Sequence, residues 1–290
     1  METYINNIIN KKYNTDRGYL YFIDLLLEKY PDFQINYDNL NKLEISSITK
    51  SVFLESGFSG VYTFQDNKIR LFNNTDENGK EIFKDITISD DELINAFLHE
   101  LIHAITSKEN DGIIYEGFNM RHNGQSSYFL GINEGVTQMI TDDLLGEESD
   151  AYIFQTIFVR QLAEIIGKEK LVSMYSKNDI DSLADAISSI DKSFDFRGLV
   201  VDTYLFNLMN SGYNIQGSEK IGTKIQESLI SLNKSTLKEN DFDSYIIDEK
   251  KVLHLARYLP IRVLTLGDCG FEGIDSLKID NSSKSLSWRL

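Results

Sequence analysis

Three features of this 290-residue sequence predict an α+β fold. Residues 60–74, GVYTFQDNKIRLFNN, form two short β-rich runs around Gln65-Asp66-Asn67, the pattern of a hairpin. At Ser89 the period changes. Ser89 and Glu92 make a capping box, and apolar residues then recur at helical spacing. Beyond residue 150 the helical period dominates. The expected architecture is an N-terminal α/β lobe over 1–110, with a small mixed sheet and a central helix. A mostly helical C-terminal lobe over 111–290 follows.

Taken in order, TDRGYLYFIDLLLEKYPDF (15–33) reads as a helix capped near Thr15 and stopped by Pro31. A second helix is expected within YDNLNKLEISSITKSVFLES (37–56), and a further strand within GKEIFKDITIS (79–89). The helix that starts at Asp90 carries Leu93, Ile94, Phe97, Leu98, Leu101, Ile102 and Ile105, an apolar face broad enough to bury most of it. Residues 112–131 read as irregular or hairpin-like, and another helix should run from about Asn133 to Leu145. DAYIFQTIFVRQLAEIIG, DIDSLADAISSI, FRGLVVDTYLFNLMN and SEKIGTKIQESLISLN continue the helical lobe, with a late strand in ARYLPIRVLTLG. The acid run TDDLLGEESD (141–150) lacks the alternating oxygen ligands of a calcium loop and reads as a solvated helix end.

Composition narrows the function classes. Apolar residues make up 41%, enough for a packed core, and the net charge is −16. So acidic a surface repels phosphate, which disfavours nucleic acid and anionic membranes as partners. The N-terminus shows no signal peptide and no window reaches the length of a transmembrane helix, so the expectation is a cytoplasmic protein. The one cysteine, Cys269, allows no internal disulfide and has no histidine beside it in sequence, so it is not read as a nucleophile.

The chemistry lies in LHELIHAI, residues 98–105. His99 and His103 are one helical turn apart and share a face, so both imidazoles can reach one divalent ion. Glu100 projects from the neighbouring position, suited to take a proton from an activated water. The competing reading is a buried helix whose histidines are satisfied by hydrogen bonds. Burying two histidines and a glutamate without a charge partner is costly, and a metal removes that cost. Four histidines in the chain make a chance H-E-x-x-H rare, on the order of once in a few hundred such sequences.

A tetrahedral site needs another protein ligand. His122, His254 and the downstream acids are candidates. The pattern H-E-x-x-H-x-x-G-x-x-H is absent, because Thr106 and Glu109 occupy its last two positions. Glu134, in GINEGVTQMITDDL, is favoured: it opens a predicted helix, with Gln138 one turn on to hydrogen-bond a ligand from behind. Alone, a glutamate there would only complement the helix dipole.

HELIH followed some thirty residues later by NEGVTQ resembles the gluzincin zinc metallopeptidases. The NEG-x-T-Q setting is similar to metallopeptidase-like proteins of low-GC Gram-positive bacteria. The resemblance covers roughly 60 residues. It implies a zincin-like fold, zinc held by His99, His103 and Glu134, and Glu100 as general base. Many gluzincins carry aspartate where this chain has Gln138. In toxin-type members a tyrosine a few residues before the glutamate stabilises the oxyanion, which places Tyr128 in that role. His122 and Arg121 compete for it, followed by His254 and Tyr204.

The expected function is a zinc-dependent peptidase acting on a peptide or protein substrate. The alternative is a metalloprotease fold kept as a binding or regulatory module without peptidase activity. Hydrolysis that disappears in Glu100→Gln while metal stays bound separates the two.

Overall fold

The computed structural model describes residues 1–48, 59–72, 88–122, 125–126, 129–149, 151–210 and most of 221–232. Among the described residues the chain is α+β, with helices packed around two small sheets. Helices α1 (Glu2–Tyr13), α2 (Leu20–Lys29) and the short α3 (Tyr37–Asn41) lead into strand β1 (Glu44–Ser47). Strands β2 (Gly60–Thr63) and β3 (Lys68–Leu71) precede the long helix α4 (Asp90–Thr106). Strands β4 (Ser107–Asn110), β5 (Ile113–Glu116), β6 (Asn119–His122) and β7 (Gln125–Ser126) come next. Helices α5 (Leu130–Leu145), α6 (Ile153–Ile166), α7 (Lys168–Lys177), α8 (Ile180–Ile190) and α9 (Phe196–Asn210) follow.

The first sheet is three-stranded and mixed, in the order β1-β3-β2. β2 and β3 are the expected hairpin, with Tyr62 opposite Ile69. Its turn is a short 3-10 segment closed by Asn67 in the left-handed region (φ 46). β1 joins β3 in parallel, Ile45 opposite Ile69. The second sheet is an antiparallel meander, β4-β5-β6-β7.

The N-terminal helices differ in detail from the sequence expectation. α1 was not anticipated. The next helix begins at Leu20 rather than near Thr15, because the side-chain oxygens of Asn10 and Asn6 take the N–H groups of Gly18 and Tyr19 and hold them in a turn. Gly18 (φ +55) lies so close to Asn6 that a Cβ would collide with its side chain. The helix expected within 37–56 is present as α3, Tyr37–Asn41; pairing with β3 then draws Glu44–Ser47 into a strand, and 49–56 lie outside the described residues. The expected lobe boundary at 110/111 coincides with the Asp111-Gly112 turn of the β4–β5 hairpin. Among the described residues a large hydrophobic cluster runs from Ile5 to Leu232. Most of 79–89 and all of 256–267 lie outside the described residues.

Helix α4 is the central element. Ser89 caps it as expected, with its side chain accepting from the Glu92 N–H and Glu92 reaching back. Leu93, Ile94, Phe97, Leu98, Leu101, Ile102 and Ile105 are buried, against β2 and β3 and against α5. Each such side chain contributes ~1.5–3 kcal/mol, whereas a cap contributes ~1 kcal/mol, so packing holds this helix. Leu98→Ala is therefore expected to destabilise the protein by about 2–5 kcal/mol, and Ser89→Ala by about 1 kcal/mol. Urea denaturation of both variants checks the ranking; the reverse order would contradict it.

Candidate metal centre

Two neighbouring helices bring the site together. α4 supplies His99, Glu100 and His103; α5 supplies Glu134 and Gln138. The sequence around Glu134 has a local task at almost every position. The Asn133 side chain accepts the N–H groups of Phe118 and Asn119 and so ties the β5–β6 turn to α5. A Cβ at Gly135 would lie 2.4 Å from the Gln155 carbonyl oxygen, so only glycine lets α6 pass this close. Thr137 shares a 2.6 Å hydrogen bond with the buried Tyr175 hydroxyl.

At the centre three basic atoms converge. His99 Nε2 is 3.0 Å from Glu134 Oε2 and 3.0 Å from His103 Nε2, and His103 Nε2 is 3.4 Å from the same carboxylate oxygen. All three residues are buried. Ligands bound tetrahedrally to one zinc at about 2.0–2.1 Å stand about 3.3 Å from each other, so these separations suit a shared cation. Among the described residues this is the His/Cys/Asp/Glu group whose ligand atoms could hold a metal ion.

The surroundings also fit. His99 Nδ1 meets Gln138 Oε1 at 2.9 Å. As a donor there, the ring keeps its Nε2 lone pair for a metal. His103 Nδ1 has no hydrogen-bond partner among the described residues; Glu116 Oε1 stands 3.7 Å away, in a buried carboxylate paired with Arg121 at 2.9 Å. Among the described residues no lysine or arginine pairs with Glu100 or Glu134. A divalent cation would balance those two carboxylates.

Glu100 does not join the ligand group. Its Oε2 accepts the N–H of Tyr62, at 2.8 Å, on strand β2, the last in the described order β1-β3-β2. Gly60 in the same strand keeps that approach open, since a Cβ there would lie 3.2 Å from Glu100 Cγ. Burial pushes the Glu100 carboxyl above its usual range, against the pull of His99, His103 and the Tyr62 N–H. A raised carboxyl pKa suits a base that must later give its proton back.

Sequence reasoning missed Tyr152. Its ring stacks flat on His99, with centroids 4.7 Å apart and planes 8° from parallel. The backbone is left-handed there (φ 49), which is strained for a bulky residue. The phenol hydrogen-bonds Glu134, and burial together with Glu134 and Glu100 pushes its pKa well above the usual value, so the proton stays on the oxygen. The available signal was weak: one tyrosine among fifteen, 18 residues beyond Glu134.

The other expected residues are dispersed. His122 is exposed at the end of β6 and outside the ligand group; Arg121 is engaged with Glu116. Tyr128 and His254 lie outside the described residues, as does Cys269. Tyr204 is on α9, where that helix passes Gly131. The acid run 141–150 is not simply a solvated helix end: Asp142 is buried and bound to Arg160 at 2.9 Å.

Compared with protein-family models, with curated proteins and with solved structures, the chain gives no match. What the site can do follows from its own atoms.

Without metal, the cluster is held by protons. Burial disfavours a charged His103, but Glu134 outweighs it, and the His103 pKa is pushed up to about 9. Burial likewise opposes charge on Glu134, yet the charged His103 holds its carboxyl well below the usual range. The His103 contribution to stability is complete below its unfolded value of 6.5 and is lost as pH rises through about 9. The Glu134 contribution is complete above 4.5 and is lost as pH falls through its depressed folded value. Metal-free protein should therefore lose stability as pH is raised from about 6.5 to 9, a loss blunted in His103→Gln. Zinc needs the unprotonated ring, so its binding should release protons at neutral pH. Calorimetric titration in buffers of different ionisation enthalpy reads that release; zinc uptake without it would contradict this electrostatic account.

Proposed function

We propose that this protein is a zinc-dependent peptidase of the gluzincin type, with a zincin-like fold. The observation that carries the reading is the convergence of His99 Nε2, His103 Nε2 and Glu134 Oε2 on one buried point. Glu100 stands on the same helix yet outside the ligand group. A purely structural site has no need of a free carboxylate in that position, whereas a hydrolytic one does.

His99, His103 and Glu134 would hold zinc, which would supply Lewis acidity to a bound water and to a carbonyl group. The chain's own groups do the rest. Glu100, steadied through Oε2 by the Tyr62 N–H, takes a proton from the attacking water and passes it to the leaving amine. Tyr152 keeps its proton and presents a hydroxyl at Glu134, which suits a donor to the oxyanion of the tetrahedral intermediate. In this reading Tyr152 is a second candidate for the role expected of Tyr128, which lies outside the described residues. Gln138 orients His99, and the stacked Tyr152 ring limits how far that imidazole can tilt. The substrate class is a peptide or protein.

Glu100→Gln is expected to lower peptide hydrolysis at least about 10³-fold while zinc stays bound. Tyr152→Phe should lower kcat about 10²-fold with a smaller change in KM. A peptide-library digest with zinc content measured in parallel tests both. Undiminished hydrolysis in Glu100→Gln would overturn the proposed mechanism. A zinc-loaded native protein that cleaves no peptide would favour the binding-module alternative.

A further inference from the structure

Behind His99 the polar contacts continue away from the metal point. Gln138 Oε1 faces His99 Nδ1 at 2.9 Å. At its other end, Gln138 Nε2 meets three oxygens: Asp142 Oδ1 at 2.9 Å, Ser149 Oγ at 2.9 Å and Asn95 Oδ1 at 3.4 Å. Asp142 is buried, and its remaining contacts are all donors. The Ser149 N–H reaches Oδ1 at 3.3 Å, and Arg160 Nη2 reaches Oδ2 at 2.9 Å.

An ionised carboxylate accepts hydrogen bonds and donates none. The Gln138 amide must therefore turn its NH₂ towards Asp142, which leaves its carbonyl for His99. That carbonyl in turn requires a donor at His99 Nδ1, so the imidazole proton sits on Nδ1 and the Nε2 lone pair faces Glu134 and His103. With the amide reversed, a carbonyl would oppose Asp142, and an N–H would force the His99 proton onto Nε2, where it would block a metal. Burial raises the Asp142 pKa, and Arg160 at 2.9 Å opposes that rise by compensating the carboxylate charge.

We infer that Asp142, anchored by Arg160, sets the orientation of the Gln138 amide and through it the tautomer of His99, making Asp142 and Gln138 a two-step positioning relay for a metal ligand. The inference rests on the metal-centre reading and adds the group that makes a neutral glutamine effective behind a ligating histidine. The anionic element lies one residue further back, one helical turn beyond Gln138.

The relay predicts a specific failure and a specific rescue. In Asp142→Asn, Arg160 still demands an oxygen, so the new amide turns its NH₂ towards Gln138 and reverses it. Zinc affinity of the full chain, measured by competition with a chromogenic chelator, should fall about 10- to 100-fold. Adding Gln138→Glu should restore it to within a few-fold of the native value. The new carboxylate accepts from the amide on one side and from His99 Nδ1–H on the other. A merely structural role for Asp142 would not be repaired by that second change. In the metal-free native protein, long-range proton–nitrogen NMR should find the His99 proton on Nδ1 at neutral pH, a readout that needs no variant. Native-like zinc affinity in Asp142→Asn, no recovery in the double variant, or an Nε2–H tautomer in the native protein would each overturn the relay. The native zinc affinity decides the metal centre; the ratio between native and Asp142→Asn decides the relay.

Discussion

The buried meeting of His99, His103 and Glu134 is the interaction on which the rest of the site depends. Three lone pairs pointed at one place repel each other unless a cation or shared protons stand between them. In the metal-free protein that cation is a proton, which is why His103 holds it so tightly and Glu134 so rarely takes it. A divalent ion could do the same work and would also balance Glu100. The charges buried there are the reason the group could hold a metal.

Holding those atoms in place needs two helices at fixed register, and much of the fold serves that end. α4 is buried along most of its length, which fixes its rotation and so the direction of both imidazoles. α5 is pinned at Asn133 to the β5–β6 turn and at Gly135 to α6. α6 opens on Tyr152, so the close approach at Gly135 also brings the phenol ring onto His99. The mixed sheet contributes the Tyr62 N–H that holds Glu100 apart from the ligand group. Strain at Tyr152, a backbone cost of about 1–3 kcal/mol, persists because the surrounding packing over-determines it.

Much of this was legible in the sequence, for physical reasons that differ from part to part. The capping box and apolar face of α4 are local patterns, so the helix start at Asp90 could be read directly. The hairpin around Asn67 was legible because its turn residues and alternation act over a few positions. H-E-x-x-H fixes its own geometry once the helix is known, and Glu134 joined it with Gln138 behind, as the spacing suggested. β1 was missed because its strand state comes from pairing with β3, more than twenty residues away. Tyr152 and Asp142 were missed because their roles arise from tertiary contacts. An aspartate in an acidic run looks solvated until Arg160 and Gln138 are folded against it.

The most direct test of the central claim is the zinc content of the purified full chain, native and Glu134→Ala, measured by inductively coupled plasma mass spectrometry after loading and dialysis. The account predicts one zinc ion per native chain, lost or much weakened in the variant. Zinc retained at the native level in Glu134→Ala, or a native chain that binds none, would contradict it.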